Sequence, residues 1–360
     1  MTIERKHNFF AGPAVLPLPV VEAVQAQLPN FKGMGTGLME SSHRSKQFSQ
    51  TWAHAQSLMA KLFGVPDTHE IMFLQGGASL QFLNVPMNLM PKGGKADYID
   101  TGTWSKKAIK EAKWVGDTSV LWSGADIGYN RCPTPDEYQV RPDASYLHYT
   151  TNNTIAGTQF LAEPVSGDVP LVADMSSDML CCPRDVARHA VIYAGAQKNM
   201  GPSGVVIIIV DKGILERTEV DIPTYLNYRT HVGKIFNTPN TLGVFVIEKV
   251  LEWIDGMGGL EAMHDHNKAK AGLLYGTLDG SDFWKPHATT DSRSLMNVTW
   301  RIADNDLEPK FIAEAAEAGL LGLKGHRSVG GLRASIYNAC PVPSLEALVA
   351  FMNEFERVNG

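Results

Sequence analysis

Cysteine is scarce, with four in 360 residues, at positions 132, 181, 182 and 340. Two are adjacent and none has C-x-x-C spacing, so the pattern fits reduced structural thiols better than a disulfide framework or a zinc site. Long apolar runs are also missing. The longest aliphatic run, Val205 to Val210, falls far short of the roughly 20 residues that cross a bilayer. The opening "MTIERKHNFF" has no apolar stretch or small-residue cleavage site behind its basic residues, so no secretion signal is expected and the cytoplasm is the expected compartment. There is no block of lysine or arginine, and the net charge is −6. This excludes the electrostatic footprint of a nucleic-acid or anionic-membrane binder and leaves any anionic ligand to a local cluster of basic groups. Repeats and low-complexity segments are absent. "GMGTG" (Gly33 to Gly37) lacks dinucleotide-loop spacing and no P-loop occurs, so nucleotide chemistry has no support.

What is present is an ordinary globular composition, 44% hydrophobic and 19% charged, with length for a large core and two domains. From about residue 16 to 260, helical patterns such as "SKQFSQTWAHAQSLMAKLFG" alternate with short apolar runs: "EIMFLQGG", "ADYIDTG", "YLHYTTNN", "PLVADMSS", "AVIYAGAQK" and "GVVIIIV". Runs apolar on both faces and separated by helices predict a mostly parallel sheet covered on both sides, an α/β domain. One long helical stretch follows, "WIDGMGGLEAMHDHNKAKAGLLYGTLD", and then strand-like "SLMNVTWRI", a helix, "GLRASIYNA" and a last helix. That order predicts a smaller α+β domain over 261–360, with the N-terminal segment 1–15 counted with it. His264 and His266 sit two apart in the helical pattern, where side chains diverge, and are read as solvated.

Parallel α/β sheets bind ligands beyond the carboxyl ends of their strands. Four run ends are informative. "EIMFLQ" ends in Gly76-Gly77-Ala78-Ser79 before a helix, whose free amides and positive end suit a phosphate; a plain tight turn is the competing reading. "ADYIDTG" ends near Trp104, which is either core or a platform for a planar ligand. "PLVAD" ends in Asp174, a buried acid that calls for a cationic partner or serves as a helix cap. Lys198 interrupts two apolar runs, 24 residues after Asp174 and across an expected helix and strand. Taken singly, a lysine is most often a solvated charge. Together, the four match what pyridoxal 5′-phosphate requires: a Schiff-base lysine, an anion for its ring nitrogen, a flat residue for its ring and amides for its phosphate.

The segments "FFAGPAVLP", "SHRSK", "FLQGGASLQF", "NNTIAGTQF", "VADMSSDML", "AGAQKNMGPSG", "FNTPN" and "GHRSVGGLRASIYNA" closely resemble the class V, fold type I aminotransferases. Within that class they resemble the phosphoserine aminotransferases, over nearly the whole chain. The resemblance implies a large domain over 16–260 that binds pyridoxal phosphate. It implies that Lys198 is the Schiff-base lysine, that Gln197, Ala78 and Ser79 hold the cofactor phosphate, and that Trp104 stacks on the ring. Thr154 would bond near the ring hydroxyl and Asp174 would pair with the ring nitrogen. Asn237 and Thr238 would reach the cofactor phosphate of a neighbouring subunit, which makes the expected assembly a homodimer with composite sites.

The implied substrates are glutamate, 2-oxoglutarate, phosphoserine and 3-phosphohydroxypyruvate, in serine biosynthesis. A further candidate is 4-phosphohydroxythreonine, an intermediate of vitamin B6 synthesis that this family often accepts. All carry two anionic ends, and arginine's planar fork suits both carboxylate and phosphate. By resemblance Arg333 holds the α-carboxylate, while His43, Arg44, His326 and Arg327 surround the distal group. Ala11 stands where some members have serine, which leaves only backbone contacts at that turn. The alternatives are another class V enzyme, an aminotransferase or a cysteine desulfurase, or a catalytically silent pyridoxal-phosphate-fold binding protein. The intact lysine, aspartate and arginine set argues against the last, and the absence of a cysteine in a recognisable mobile loop argues against the desulfurase.

Overall fold

The computed structural model describes residues 5–360. The first four residues of the N-terminal segment therefore lie outside the described residues. Seven strands form one sheet in the order His69–Leu74, Val206–Asp211, His189–Gly195, Leu171–Asp174, Leu147–Thr150, Lys95–Asp100 and Asp117–Ser123. Only Val206–Asp211 runs against the rest, antiparallel to both its neighbours. The other pairings are parallel, and Thr150 lies opposite Asp174, which lies opposite Tyr193.

Both faces are covered, as the unbroken apolar runs require. Ile71, Phe73, Leu171, Ala173, Ile207 and Ile209 face one cluster, which includes Phe48, Leu58 and Phe63 from the helix Lys46–Phe63 and Val244 and Ile247 from the helix Thr241–Gly256. Met72, Val172, Val191, Val206 and Ile208 face the other cluster, with Phe82 and Val85 of the helix Gly77–Leu89 and Ala108 of the helix Thr103–Ala112. Alternate residues of one strand thus serve opposite cores, the direct result of the two-residue period. The helix Lys46–Phe63 is delimited by its own residues: Ser45 caps it by accepting from the Phe48 amide, and Gly64 ends it at φ 64°.

A separate cluster joins Phe9 and Val15 to Leu274, Trp284, Trp300, Phe311, Leu345 and Phe355. It is built on an antiparallel sheet of Trp284–Pro286, Asn297–Ile302 and Leu332–Ser335, backed by the helices Gly259–Asp279, Glu308–Glu317 and Val342–Asn359. Gly259–Asp279 reaches both cores, with Met263 in the first and Leu274 in this one.

Four local expectations change. The long helical stretch is two helices, because Gly258 at φ 101° breaks it. Between Leu171–Asp174 and His189–Gly195 there is no full helix, only the 3-10 turn Val186–Arg188; Pro183 stands within the connection. The edge strand Asp117–Ser123 had no clear apolar run because much of it faces solvent. His264 and His266 are half-buried rather than solvated, and burial lowers both pKa values.

Candidate active site

The parallel strands deliver their carboxyl ends to one edge of the sheet. Asp174 is the last residue of its strand, and Lys198 follows three residues after His189–Gly195. Trp104 lies in the first turn of the helix after Lys95–Asp100, and Gly77 opens the helix after His69–Leu74. The antiparallel sheet contributes Arg333 from Leu332–Ser335. These residues line one cavity of about 360 Å³ with Ala78, Ser79, Thr150, Thr154, Gln197 and His326.

Lys198 is held on several sides. Its Nζ donates to Thr154 Oγ1 at 2.8 Å and lies 5.5 Å from the Trp104 ring centre. Gly12, at φ 143°, brings main chain against its stem, where a Cβ would lie 3.3 Å from Lys198 Cγ. Burial lowers the Lys198 pKa to about 8; Asp174 opposes that shift and Arg333 adds to it. An amine near 8 is partly neutral at physiological pH, as a nucleophile and proton carrier requires.

Asp174 is buried, and its pKa is raised by that burial against the effect of Ser176 and Lys198. The Ser176 amide and hydroxyl both donate to Oδ1, at 3.0 and 2.6 Å. Oδ2 has no donor among the described residues. Arg333 is 9% exposed; its Nη1 donates to the Thr154 carbonyl at 3.1 Å, its Nε has no partner, and burial lowers its pKa. No carboxylate pairs with it among the described residues. Thr154 therefore spans the site, with its hydroxyl to Lys198 and its carbonyl to Arg333.

Trp104 Nε1 and Thr150 Oγ1 are also buried without partners. No side chain caps the helix Gly77–Leu89, so the amides of Gly77, Ala78 and Ser79 are free at its positive end. Three unpartnered donors, Trp104 Nε1, Thr150 Oγ1 and Arg333 Nε, belong to residues of this cavity, and with the free amides they suit an anionic ligand.

The expected residues do not all converge within one chain. His43 and Arg44 lie just before the helix Lys46–Phe63, half-buried and exposed respectively, and do not line the cavity. Arg327 is exposed beside His326 and is likewise outside the lining. Asn237 lines a different cavity of about 220 Å³, and the Thr238 carbonyl accepts from Gln75 Nε2 at 2.9 Å. The same "NTPN" turn has a local role, since Asn240 caps Thr241–Gly256 by accepting from the Gly243 amide.

Two contributors escaped the sequence reading. Ser176 stands two residues after Asp174, a spacing at which an aspartate commonly accepts from the backbone, and that signal was legible. Lys107 is one helical turn beyond Trp104, with its Nζ 4.5 Å from the ring centre; its positive charge, with Arg333 and Arg327, adds to burial in lowering the His326 pKa. Only the fold brings Lys107 to His326, so no sequence signal existed.

A model of the class-V aminotransferase family matches residues 7–348. The chain belongs to this family. It is 51% identical over 360 residues to the phosphoserine aminotransferase of Desulfatibacillum aliphaticivorans, covering 99% of both chains. It is 48% identical to that of Azotobacter vinelandii, again over 99% of each. The solved phosphoserine aminotransferase from Bacillus circulans subsp. alkalophilus superimposes with a TM-score of 0.97 at 46% identity, over 99% of this chain and 100% of the other. The PLP-bound phosphoserine aminotransferase from Trichomonas vaginalis superimposes with a TM-score of 0.92 at 36% identity, over 97% and 100%.

The cavity fits pyridoxal phosphate as this family uses it. The donor-free Asp174 oxygen, the uncapped amides of Gly77 to Ser79, the Trp104 ring and the Lys198 amine are the chemical partners that the ring nitrogen, the phosphate, the ring face and the aldehyde each require.

Proposed function

We propose that the protein transfers the amino group of glutamate to 3-phosphohydroxypyruvate, giving 2-oxoglutarate and phosphoserine, with pyridoxal 5′-phosphate as cofactor. The observation that carries this reading is the convergence of Lys198, Asp174 and an unpaired Arg333 on one cavity, in a chain about half identical to phosphoserine aminotransferases along its full length.

When bound, the cofactor supplies an electron sink for the charge left on the substrate Cα. The residues of this chain do the rest. Asp174, through its free oxygen, would keep the ring nitrogen protonated; Trp104 would cover the ring, Thr154 would bond near the ring hydroxyl, and Gln197 with the Ala78 and Ser79 amides would hold the phosphate. Arg333 fixes the substrate α-carboxylate, setting the Cα hydrogen against Lys198. Lys198 Nζ, partly neutral at physiological pH, takes that proton. His326 and Arg327 face the distal group: His326, its pKa lowered, offers a neutral hydrogen bond, and the Arg327 charge favours a phosphate dianion over a carboxylate. Lys107 adds to the same positive end. 4-Phosphohydroxythreonine, which has the same two anionic ends, is proposed as a second substrate.

His43, Arg44, Asn237 and Thr238 lie off this chain's cavity, and we place them in the site of a second copy, making a homodimer with composite sites. We assign 16–260 to one domain and the N-terminal segment to residue 15 with 261–360 to the other; among the described residues the hydrophobic clusters divide near these bounds, with Met263 still in the first. The expected compartment is the cytoplasm; among the described residues no helix is long and apolar enough to cross a membrane. A desulfurase reading has little support, because none of the four cysteines lines the cavity.

The test is direct. Purified protein supplied with glutamate and 3-phosphohydroxypyruvate should form 2-oxoglutarate and phosphoserine in equal amounts, and Lys198→Ala should abolish this. Turnover of glutamate with pyruvate or oxaloacetate but not with the phosphorylated keto acid would refute the substrate assignment.

A further inference from the structure

The adjacent cysteines are unused by the reaction just described, and their setting is unlike that of the other two. Cys181 is fully buried and Cys182 half-buried, and their sulfur atoms lie 3.5 Å apart, with the Cys181 thiol donating to Cys182. Gln159 Nε2 donates to Cys181 Sγ at 3.5 Å. The Arg184 side chain, 5% exposed, anchors to the Phe160 carbonyl at 3.0 Å and Asp178 Oδ2 at 3.3 Å. The Cys181 thiol and the Arg184 charge lower the Cys182 pKa against its burial, while the Cys181 value is raised. Cys340 and Cys132 have no thiol neighbour, and burial pushes them up to about 11 and about 12. Cys182, which accepts the hydrogen bond and is partly accessible, is the thiol that a peroxide meets, and the buried Cys181 sulfur 3.5 Å away is in place to resolve it.

We propose that Cys181 and Cys182 form a peroxide-oxidisable dithiol, a modification site that closes to a disulfide between adjacent residues and lowers the enzyme's activity. The Cys182 thiolate attacks one peroxide oxygen, the O–O bond breaks, and the departing oxygen takes a proton and leaves as water or an alcohol. Cys182 is left as a sulfenic acid. The Cys181 sulfur then attacks Cys182 Sγ, the S–O bond breaks, and the hydroxide leaves with the Cys181 proton as water. The peroxide gains the two electrons that the two thiols lose.

Closure must draw the sulfurs from 3.5 Å to about 2.0 Å, and in adjacent residues that turns the intervening peptide. The surrounding backbone is tied to the site. Leu180, at φ 61°, offers its carbonyl to Asn338 Nδ2 at 2.9 Å, and the Cys181 carbonyl accepts from Asn267 Nδ2 at 3.1 Å. The Met179 carbonyl accepts from Asn199 Nδ2 at 3.2 Å, and Asn199 Oδ1 accepts from the Asn338 amide at 3.1 Å. Asn199 is next to Lys198. Turning that peptide moves the Cys181 carbonyl away from Asn267, whose Nδ2 also donates to Asn338 Oδ1 at 2.8 Å, and so loosens the network that supports Asn199 beside the lysine.

The experiment treats the cofactor-loaded protein with hydrogen peroxide and maps the cysteine peptides by mass. The expected product is a Cys181–Cys182 peptide lighter by two hydrogens, restored by dithiothreitol. Activity should fall roughly tenfold, the scale of one lost hydrogen bond at a positioned group, and recover on reduction. Cys182→Ser should keep its activity under the same peroxide, and a Cys132→Ser/Cys340→Ser protein should remain sensitive. An unchanged peptide mass, or a sulfinic acid at Cys182 with no loss of hydrogens, would overturn the dithiol. A disulfide with unchanged activity, or inactivation that persists in Cys182→Ser, would overturn its coupling to the site. The mass readout does not depend on which substrates are used, so it stands apart from the proposed reaction.

Discussion

In the protein stripped of cofactor, Lys198 should titrate near pH 8, and its neighbours should move that value in opposite directions. Burial is the main cause of the depression from 10.5, Asp174 works against it and Arg333 works with it. At pH 7.5 a lysine of value 10.5 is about 0.1% neutral, whereas one near 8 is about 24% neutral, a gain of roughly 200-fold in the form able to attack a carbonyl or accept a proton. The assay follows the rate at which pyridoxal phosphate combines with the cofactor-free protein from roughly pH 6 to pH 10. Because the neutral amine is the nucleophile, the rate should rise with pH and level off above about 8. Asp174→Asn removes the opposing charge and should shift the midpoint down; Arg333→Met removes a like charge and should shift it up. A wild-type midpoint near 10.5, or an upward move in Asp174→Asn, would show that Lys198 is not depressed by burial against the Asp174 charge.

Other expectations follow from the same geometry. Arg333→Ala should weaken glutamate and phosphoserine alike, by about 2 to 5 kcal/mol in kcat/KM, the usual loss when one member of a buried charged pair is removed. Replacing both His326 and Arg327 should hurt phosphoserine more than glutamate; equal losses in kcat/KM would remove the assignment of that pair to the phosphate end. Mixing Lys198→Ala protein with Asn237→Ala/Thr238→Ala protein, each inactive alone, should regenerate part of the activity through hybrid dimers. No recovery after demonstrated subunit exchange would count against shared sites.

Much of the fold was legible because its signals are local. The Val205 to Val210 run announces a strand buried on both faces, and the polar break at Gln197 and Lys198 announces the sheet edge beyond it. Asp174 and Trp104 were legible for the same reason, as polar or planar residues at the ends of apolar runs. What escaped depends on distance or exposure. Asp117–Ser123 lies at the sheet edge with a mixed burial pattern, so neither a continuous nor a cleanly alternating apolar signal marks it. The connection from Asp174 to Lys198 has enough residues for a helix, but it is spent on the turns around Cys181 and Cys182 and on the single 3-10 turn. The Thr154 bridge between Lys198 and Arg333 joins residues 44 and 179 positions apart, a coupling that no sequence period can reveal. His43, Arg44, Asn237, Thr238 and Arg327 rest on resemblance alone, because one chain does not bring them to the lining of its own cavity.

The most direct test of the central claim is to load the protein with pyridoxal phosphate, reduce it with borohydride and map the modified peptide. One cofactor should be fixed per chain, on Lys198, with the visible colour of the protein lost on reduction. Cofactor fixed on any other lysine, or none fixed at all, would contradict that claim.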